Sequence, residues 1–76
     1  MPVLHRLGPF AIRLFTRDHP PVHVHVDAGD FAARVFLDGS VEVIRGKAPV
    51  GFGAVVEWVL AKRATITATW ERTRPQ

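Results

Sequence analysis

Residues 22–37, VHVHVDAGDFAARVFL, decide the fold of this chain. Apolar residues recur at every second position on both sides of the turn signal Asp27-Ala28-Gly29-Asp30. This alternation is typical of strands, because successive side chains of a strand point to opposite faces. A glycine in a short polar segment between two strands is typical of a hairpin turn. The stretch therefore predicts a β-hairpin with one apolar face and one face that carries the histidines.

Shorter segments with the same alternation flank this hairpin. Strands are predicted at 10–15 and 41–44, and a first strand from roughly residue 3 to residue 7. Turn signals separate them at Gly8-Pro9, His19-Pro20-Pro21 and Asp38-Gly39-Ser40. Because short strands joined by tight turns pair with their sequence neighbours, the prediction is an antiparallel meander of four to five strands.

The periodicity becomes helical after Pro49. Val55, Val59, Ile66 and Trp70 follow spacings of four, seven and four residues, which predicts a C-terminal helix packed on the sheet. The threonine-rich segment 64–69 is a poor helix former, so a break near Lys62-Arg63 stays open. The expected architecture is one α+β domain over residues 1–76.

Composition limits the classes of function. The chain has no cysteine, which excludes disulfides and thiolate metal sites, and its net charge of +3 favours an acidic partner. No phosphate-binding glycine loop, dinucleotide fingerprint or serine nucleophile elbow occurs. No apolar run approaches the roughly 20 residues that span a bilayer, and the N-terminus lacks the pattern of a secretory signal, so we expect a cytoplasmic protein without membrane contact.

The two predicted sheet faces differ in chemistry. One face is apolar and is expected to be covered by the helix. The other face carries Arg13, Phe15, His23, His25, Asp27, Arg34 and Phe36. Arginine and aromatic side chains on an open sheet can hold single-stranded RNA or DNA, and exposed aromatic residues can also mark a homodimer or a partner-protein contact.

The histidines form the most distinctive motif. Residues 18–27 read DHPPVHVHVD, and three of the four histidines of the chain lie within it. His23 and His25 are expected to project together, about 7 Å apart along a strand, and His19 can fold back toward them from the Pro-Pro turn. The imidazoles could bind a divalent metal ion, act as general acid and base, or contact phosphate. Alternatively, they only form the solvent-exposed face of a strand. His23, His25 and Asp27 lie along a line, so a metal site would need a further ligand such as His19.

The motif Asp18-His19-Pro20-Pro21-Val22-His23-Val24-His25-Val26 resembles the signature of domain-of-unknown-function family 4160, a family of small bacterial proteins. Phe36-Leu37-Asp38, Gly51-Phe52 and Trp70 are similar as well, and the family more often has proline at the position of Val22. The family has no established activity. Its members often occur beside another small family in an arrangement that is similar to a toxin–antitoxin pair, which implies a small protein partner and a nucleic-acid target.

Three hypotheses follow. The first is a toxin–antitoxin-type interaction module that binds a partner protein and nucleic acid through Arg13, Phe15, Arg34, Phe36 and the histidines. The second is a metal-independent ribonuclease in which His23 and His25 act with His19 and Arg34. The third is a metal-binding protein with His19, His23 and His25 as ligands of a divalent ion.

Overall fold

The chain folds as five strands followed by two helices, which confirms the predicted α+β class. The computed structural model describes residues 3–15 and 20–73. In chain order the elements are β1 (Val3–Leu7), β2 (Phe10–Arg13), β3 (His23–Ala28), β4 (Phe31–Phe36), β5 (Val41–Arg45), α1 (Phe52–Ala61) and α2 (Arg63–Thr73).

The strands form one antiparallel sheet in the order β1-β2-β3-β4-β5, as predicted for a meander. The central hairpin pairs Ala28 with Phe31 across a two-residue turn, in which Gly29 has a φ of +58°. A positive φ at the first turn position suits the right-handed twist of the strands, and glycine adopts it without steric cost. The turn therefore fixes the register that places His23 opposite Phe36.

The alternating pattern divides the sheet into a covered and an open face. Val24 and Val26 of β3 are buried in the same core as Ile12 and Val35, and the histidines between the valines point the other way. Both helices contribute to this core through Val55, Val59, Ile66 and Trp70, so the predicted helical stripe is confirmed. We call the side that faces the helices the covered face and the opposite side the open face.

The helical segment breaks at Lys62, at the position near Lys62-Arg63 where the sequence indicated a possible break. The Lys62 backbone has φ −106° and ψ 11°, and its N–H donates to the carbonyls of both Trp58 and Val59. α2 begins at the next residue and includes the threonine-rich segment, because Ile66 and Trp70 bury its inner side. In residues 3–15 and 20–73, neither helix is long and apolar enough to cross a membrane.

Strand β5 differs from the other strands because all five of its residues are exposed. Val41, Val43 and Ile44 are 39%, 51% and 47% exposed, although large apolar side chains in a strand are usually packed. β5 lies at the edge of the sheet, whereas α1 packs against β4. The predicted strand 41–44 is thus present, but it is not part of the buried core.

Candidate functional site

The two central histidines emerge together from β3. His23 and His25 are half-buried and lie on the open face, opposite the buried Val24 and Val26. Their ring centroids are 5.2 Å apart, with an interplanar angle of 47°. The extended geometry predicted from the alternation is therefore confirmed for both imidazoles.

Two phenylalanines extend this pair into a continuous row of rings. Phe15 approaches His25 edge-on, with ring centroids 4.3 Å apart. On the other side, the His23 and Phe36 rings are 5.0 Å apart at an angle of 45°. The order along the row is Phe15, His25, His23, Phe36, so the open face carries a strip of four rings in mutual contact. We call this strip the ring row.

Arginines flank the ring row. In the sheet register, His25 is paired with Arg13 on β2 and with Arg34 on β4. Arg13 forms an ion pair with Asp27, and Arg34 forms one with Glu42. A guanidinium has five N–H donors and a carboxylate engages at most two of them in a fork, so each arginine is oriented and still has donors for an anionic ligand.

A backbone carbonyl defines the tautomer of His23. His23 Nδ1 lies 2.9 Å from the carbonyl oxygen of Pro21, and a carbonyl can only accept, so Nδ1–H is the donor. A neutral His23 ring then has its lone pair on Nε2. Pro21 follows a cis Pro20–Pro21 peptide bond. The Pro21 carbonyl thus orients the His23 ring.

Two clefts lie at the two ends of the ring row. The first, of about 380 Å³, is lined in part by Arg13, Phe15, His25, Ile44 and Arg45. The second, of about 450 Å³, is lined by Pro21, Val22, Phe36, Leu37, Asp38 and Ser40. We call them the arginine cleft and the Phe36 cleft. His23 lies between them, because its ring contacts both His25 of the first and Phe36 of the second.

Six of the seven residues predicted for the site lie together on the open face: Arg13, Phe15, His23, His25, Arg34 and Phe36. The seventh, His19, lies outside the described residues. Among the residues that the structure describes, no group of three His, Asp or Glu side chains could hold a metal ion. The metal site with His19, His23 and His25 as ligands therefore stays a prediction.

The sequence prediction does not include the residues that complete the two clefts. The register shifts between Ala32 and Ala33, which pair with Arg45 and Val43, so Ile44 is the extra residue of a bulge in β5. Both Ile44 and Arg45 line the arginine cleft. Asp38 and Ser40 line the Phe36 cleft, although their segment is predicted only as a turn. Nothing in the alternation pattern marks a bulge, whereas the turn signal at Asp38 could have suggested an oriented carboxylate.

Asp38 is held ionised by its own turn. Its Oδ1 accepts hydrogen bonds from the Ser40 hydroxyl at 2.6 Å and from the Ser40 backbone N–H at 2.8 Å. These bonds, the hydroxyl first, lower the pKa of Asp38 below its ordinary value of 3.8. The Phe36 cleft therefore contains a carboxylate that is negatively charged and fixed in orientation at neutral pH.

Comparison with known families identifies the chain. The family model described as "Domain of unknown function (DUF4160)" matches residues 10–71, which include both clefts and the ring row. The chain belongs to this family. Comparisons with curated proteins and with solved structures found no match.

Proposed function

We propose that this DUF4160 chain is a small interaction module that binds single-stranded nucleic acid through the open face of its sheet. The observation that carries the proposal is the ring row flanked by Arg13 and Arg34. Proteins that bind single strands combine aromatic surfaces, on which bases stack, with positive charges that follow the backbone. The net charge of +3 agrees with an anionic ligand.

The arginines and the rings have different roles in this proposal. Arg13 and Arg34 are pre-oriented by Asp27 and Glu42, and each donates the rest of its N–H groups to a phosphate. The rings supply stacking area, which is worth about 1–3 kcal/mol per base in single-strand complexes.

A protein partner is the second part of the proposed function, which is that of a toxin–antitoxin-type component. The arrangement implied by the family resemblance suggests it, and the exposed Val41, Val43 and Ile44 of edge strand β5 support it. An edge strand has backbone donors and acceptors available for a further strand, and apolar side chains beside it add buried area. A second copy of this chain, giving a homodimer, is one candidate for this contact.

The test is a binding titration with a labelled single-stranded DNA at several salt concentrations, monitored by fluorescence anisotropy. Arg34→Gln should weaken binding and should make the salt dependence shallower by about 0.7 in log–log slope, the value for one phosphate contact of a single strand. Arg63→Gln is the matched control, because Arg63 begins α2, is exposed and carries the same charge. Equal effects of the two substitutions, or no binding by the wild type at low salt, would refute the proposal.

The ribonuclease hypothesis is a second candidate, favoured by the contact between the His23 and His25 rings beside Arg34. One imidazole could act as base and the other as acid on a phosphodiester oriented by the arginine. Incubation of single-stranded RNA with and without a chelator distinguishes the candidates. Chelator-resistant cleavage that His23→Ala and His25→Ala each abolish would favour the enzyme, and a stoichiometric metal that both variants lose would favour the metal-binding hypothesis.

A further inference from the structure

Building on the proposed binding of single strands, we propose that the Phe36 cleft is a base pocket that selects nucleobases with an exocyclic amino group through Asp38. The arginine cleft then binds a phosphate of the same nucleic-acid strand. Asp38 is then the specificity-determining residue of the cleft, although it is not among the residues predicted for the site.

The chemistry of the two clefts is complementary to the two parts of a nucleotide. The arginine cleft is lined by Arg13 and Arg45, which suit a phosphate, and by Asp27, the ion-pair partner of Arg13. The Phe36 cleft is formed mainly by apolar surface, including the ring of Phe36 and the ring of Pro21. Its volume of about 450 Å³ is large enough for a planar base, as ligand pockets typically measure about 300–1,000 Å³.

His23 connects the two clefts and sets their order. Its ring contacts Phe36 on one side and His25 on the other, and its Nδ1–H donates to the carbonyl of Pro21. A single-stranded nucleic acid that follows the ring row therefore crosses His23. Its phosphate at the arginine cleft lies on one side of this ring and its base at Phe36 lies on the other. The ring row thus gives the bound strand a path from one cleft to the other.

Asp38 gives the Phe36 cleft its selectivity. An ionised carboxylate only accepts hydrogen bonds, and Ser40 holds this one through Oδ1. The Oδ2 atom can accept from the amino group of cytosine, as carboxylates do when they recognise that base. Uracil presents a carbonyl oxygen at the same ring position, so a second acceptor would face the negative carboxylate without a proton between them.

The experiment compares two oligodeoxynucleotides of equal length, one of deoxycytidine and one of deoxyuridine. Their bases differ by an amino group or a carbonyl at one position, and DNA lacks the 2′-hydroxyl, so RNA cleavage cannot interfere. We expect the wild type to bind the deoxycytidine strand about tenfold more tightly, near the lower limit for a hydrogen bond to a charged group. Asp38→Asn should reduce this ratio to one or below, since Ser40 holds the amide oxygen and the amide NH₂ that replaces Oδ2 can donate to uracil but cannot accept from cytosine.

The control variant is Asp30→Asn, which removes the same charge from an exposed turn at the opposite end of the β4 strand. It should leave the ratio unchanged. The Asp38→Asn variant keeps an oxygen that can accept the Ser40 N–H, so the turn is expected to fold. Equal binding of both oligonucleotides by the wild type, tighter binding of deoxyuridine, or an unchanged ratio in Asp38→Asn would refute the pocket while leaving the proposed function standing. Failure to bind either oligonucleotide would refute the proposed function itself.

Discussion

The covered and open faces of the sheet are formed by the same strands but differ in the burial and chemistry of their side chains. On β3, Val24 and Val26 are buried beneath the helices, and His23 and His25 alternate with them on the open face. On β4, Ala33 and Val35 are buried, and Arg34 and Phe36 are half-buried on the other side. Each of these two strands thus carries a buried apolar set and a half-buried polar and aromatic set of side chains, separated only by the period of two.

This division explains how a small domain can carry a charged and aromatic site. A chain of 76 residues has little apolar surface to bury, so the covered face must provide most of the stability. The open face is then under weaker packing constraints. Among the described residues, no polar or charged side chain is buried, so the charges of the site lie where water can still reach them.

The largest expected effect is the difference in the free energy of unfolding between two isoleucine-to-alanine substitutions, one on the covered face and one on the exposed edge strand. Ile12→Ala removes a fully buried side chain of the covered face and should lower the free energy of unfolding by about 2–5 kcal/mol. Ile44→Ala, on the exposed edge strand, should change it by no more than about 0.5 kcal/mol. Urea unfolding measures both changes, and a complete loss of the cooperative transition in Ile12→Ala alone would agree as well. Similar losses in the two variants would contradict the division between faces.

The division itself could be predicted from the sequence, because it depends on a local pattern. The period of two assigned the buried valines and the site residues to their faces, and the weak helix propensity of the threonine-rich segment 64–69 indicated the break that the structure has at Lys62. Only the membership of the faces is encoded in this way. The depth of the clefts on the open face depends on residues that are neighbours in space but distant in sequence.

The features that were not predicted all depend on tertiary register. His5 stacks on Trp58 with ring centroids 4.7 Å apart, a contact between β1 and α1 that no spacing could suggest. The exposure of β5 follows from the position of the helices over the sheet, and the clefts follow from a bulge and a turn. Hydrophobic periodicity gives the direction of a side chain, but it does not give the width of the layer that covers it.

A smaller effect is expected from the two ion pairs of the open face. Arg13 and Asp27 are 33% and 35% exposed, whereas Arg34 and Glu42 are 40% and 57% exposed. Double-mutant cycles with Arg→Gln, Asp→Asn and Glu→Gln should give coupling energies of about 0.2–1 kcal/mol, with the larger value for the less exposed pair. High salt should reduce both. A larger coupling for the Arg34 pair would show that exposure does not rank the two interactions.

The smallest expected effect lies in the Phe36 cleft and tests whether Ser40 holds Asp38. Removal of the hydroxyl in Ser40→Ala should raise the pKa of Asp38 toward 3.8, because the hydroxyl is the main cause of its lowered pKa. The backbone N–H of residue 40 would still donate, so part of the lowering should persist. NMR titration of the Asp38 carboxyl carbon in Ser40→Ala and in the wild type measures the change.

The sign of the accompanying stability change follows from the direction of this pKa shift. A carboxyl whose pKa is lower in the folded state stabilises the fold above its unfolded pKa, and this contribution is lost as the pH falls through the folded value. The stability of Ser40→Ala should therefore depend less steeply on pH than that of the wild type below pH 3.8, the ordinary value of the Asp38 pKa. Parallel stability curves in that range, together with an unmoved Asp38 titration, would mean that the backbone N–H alone holds the carboxylate. The geometry of the Phe36 cleft would then depend on the turn rather than on the serine side chain.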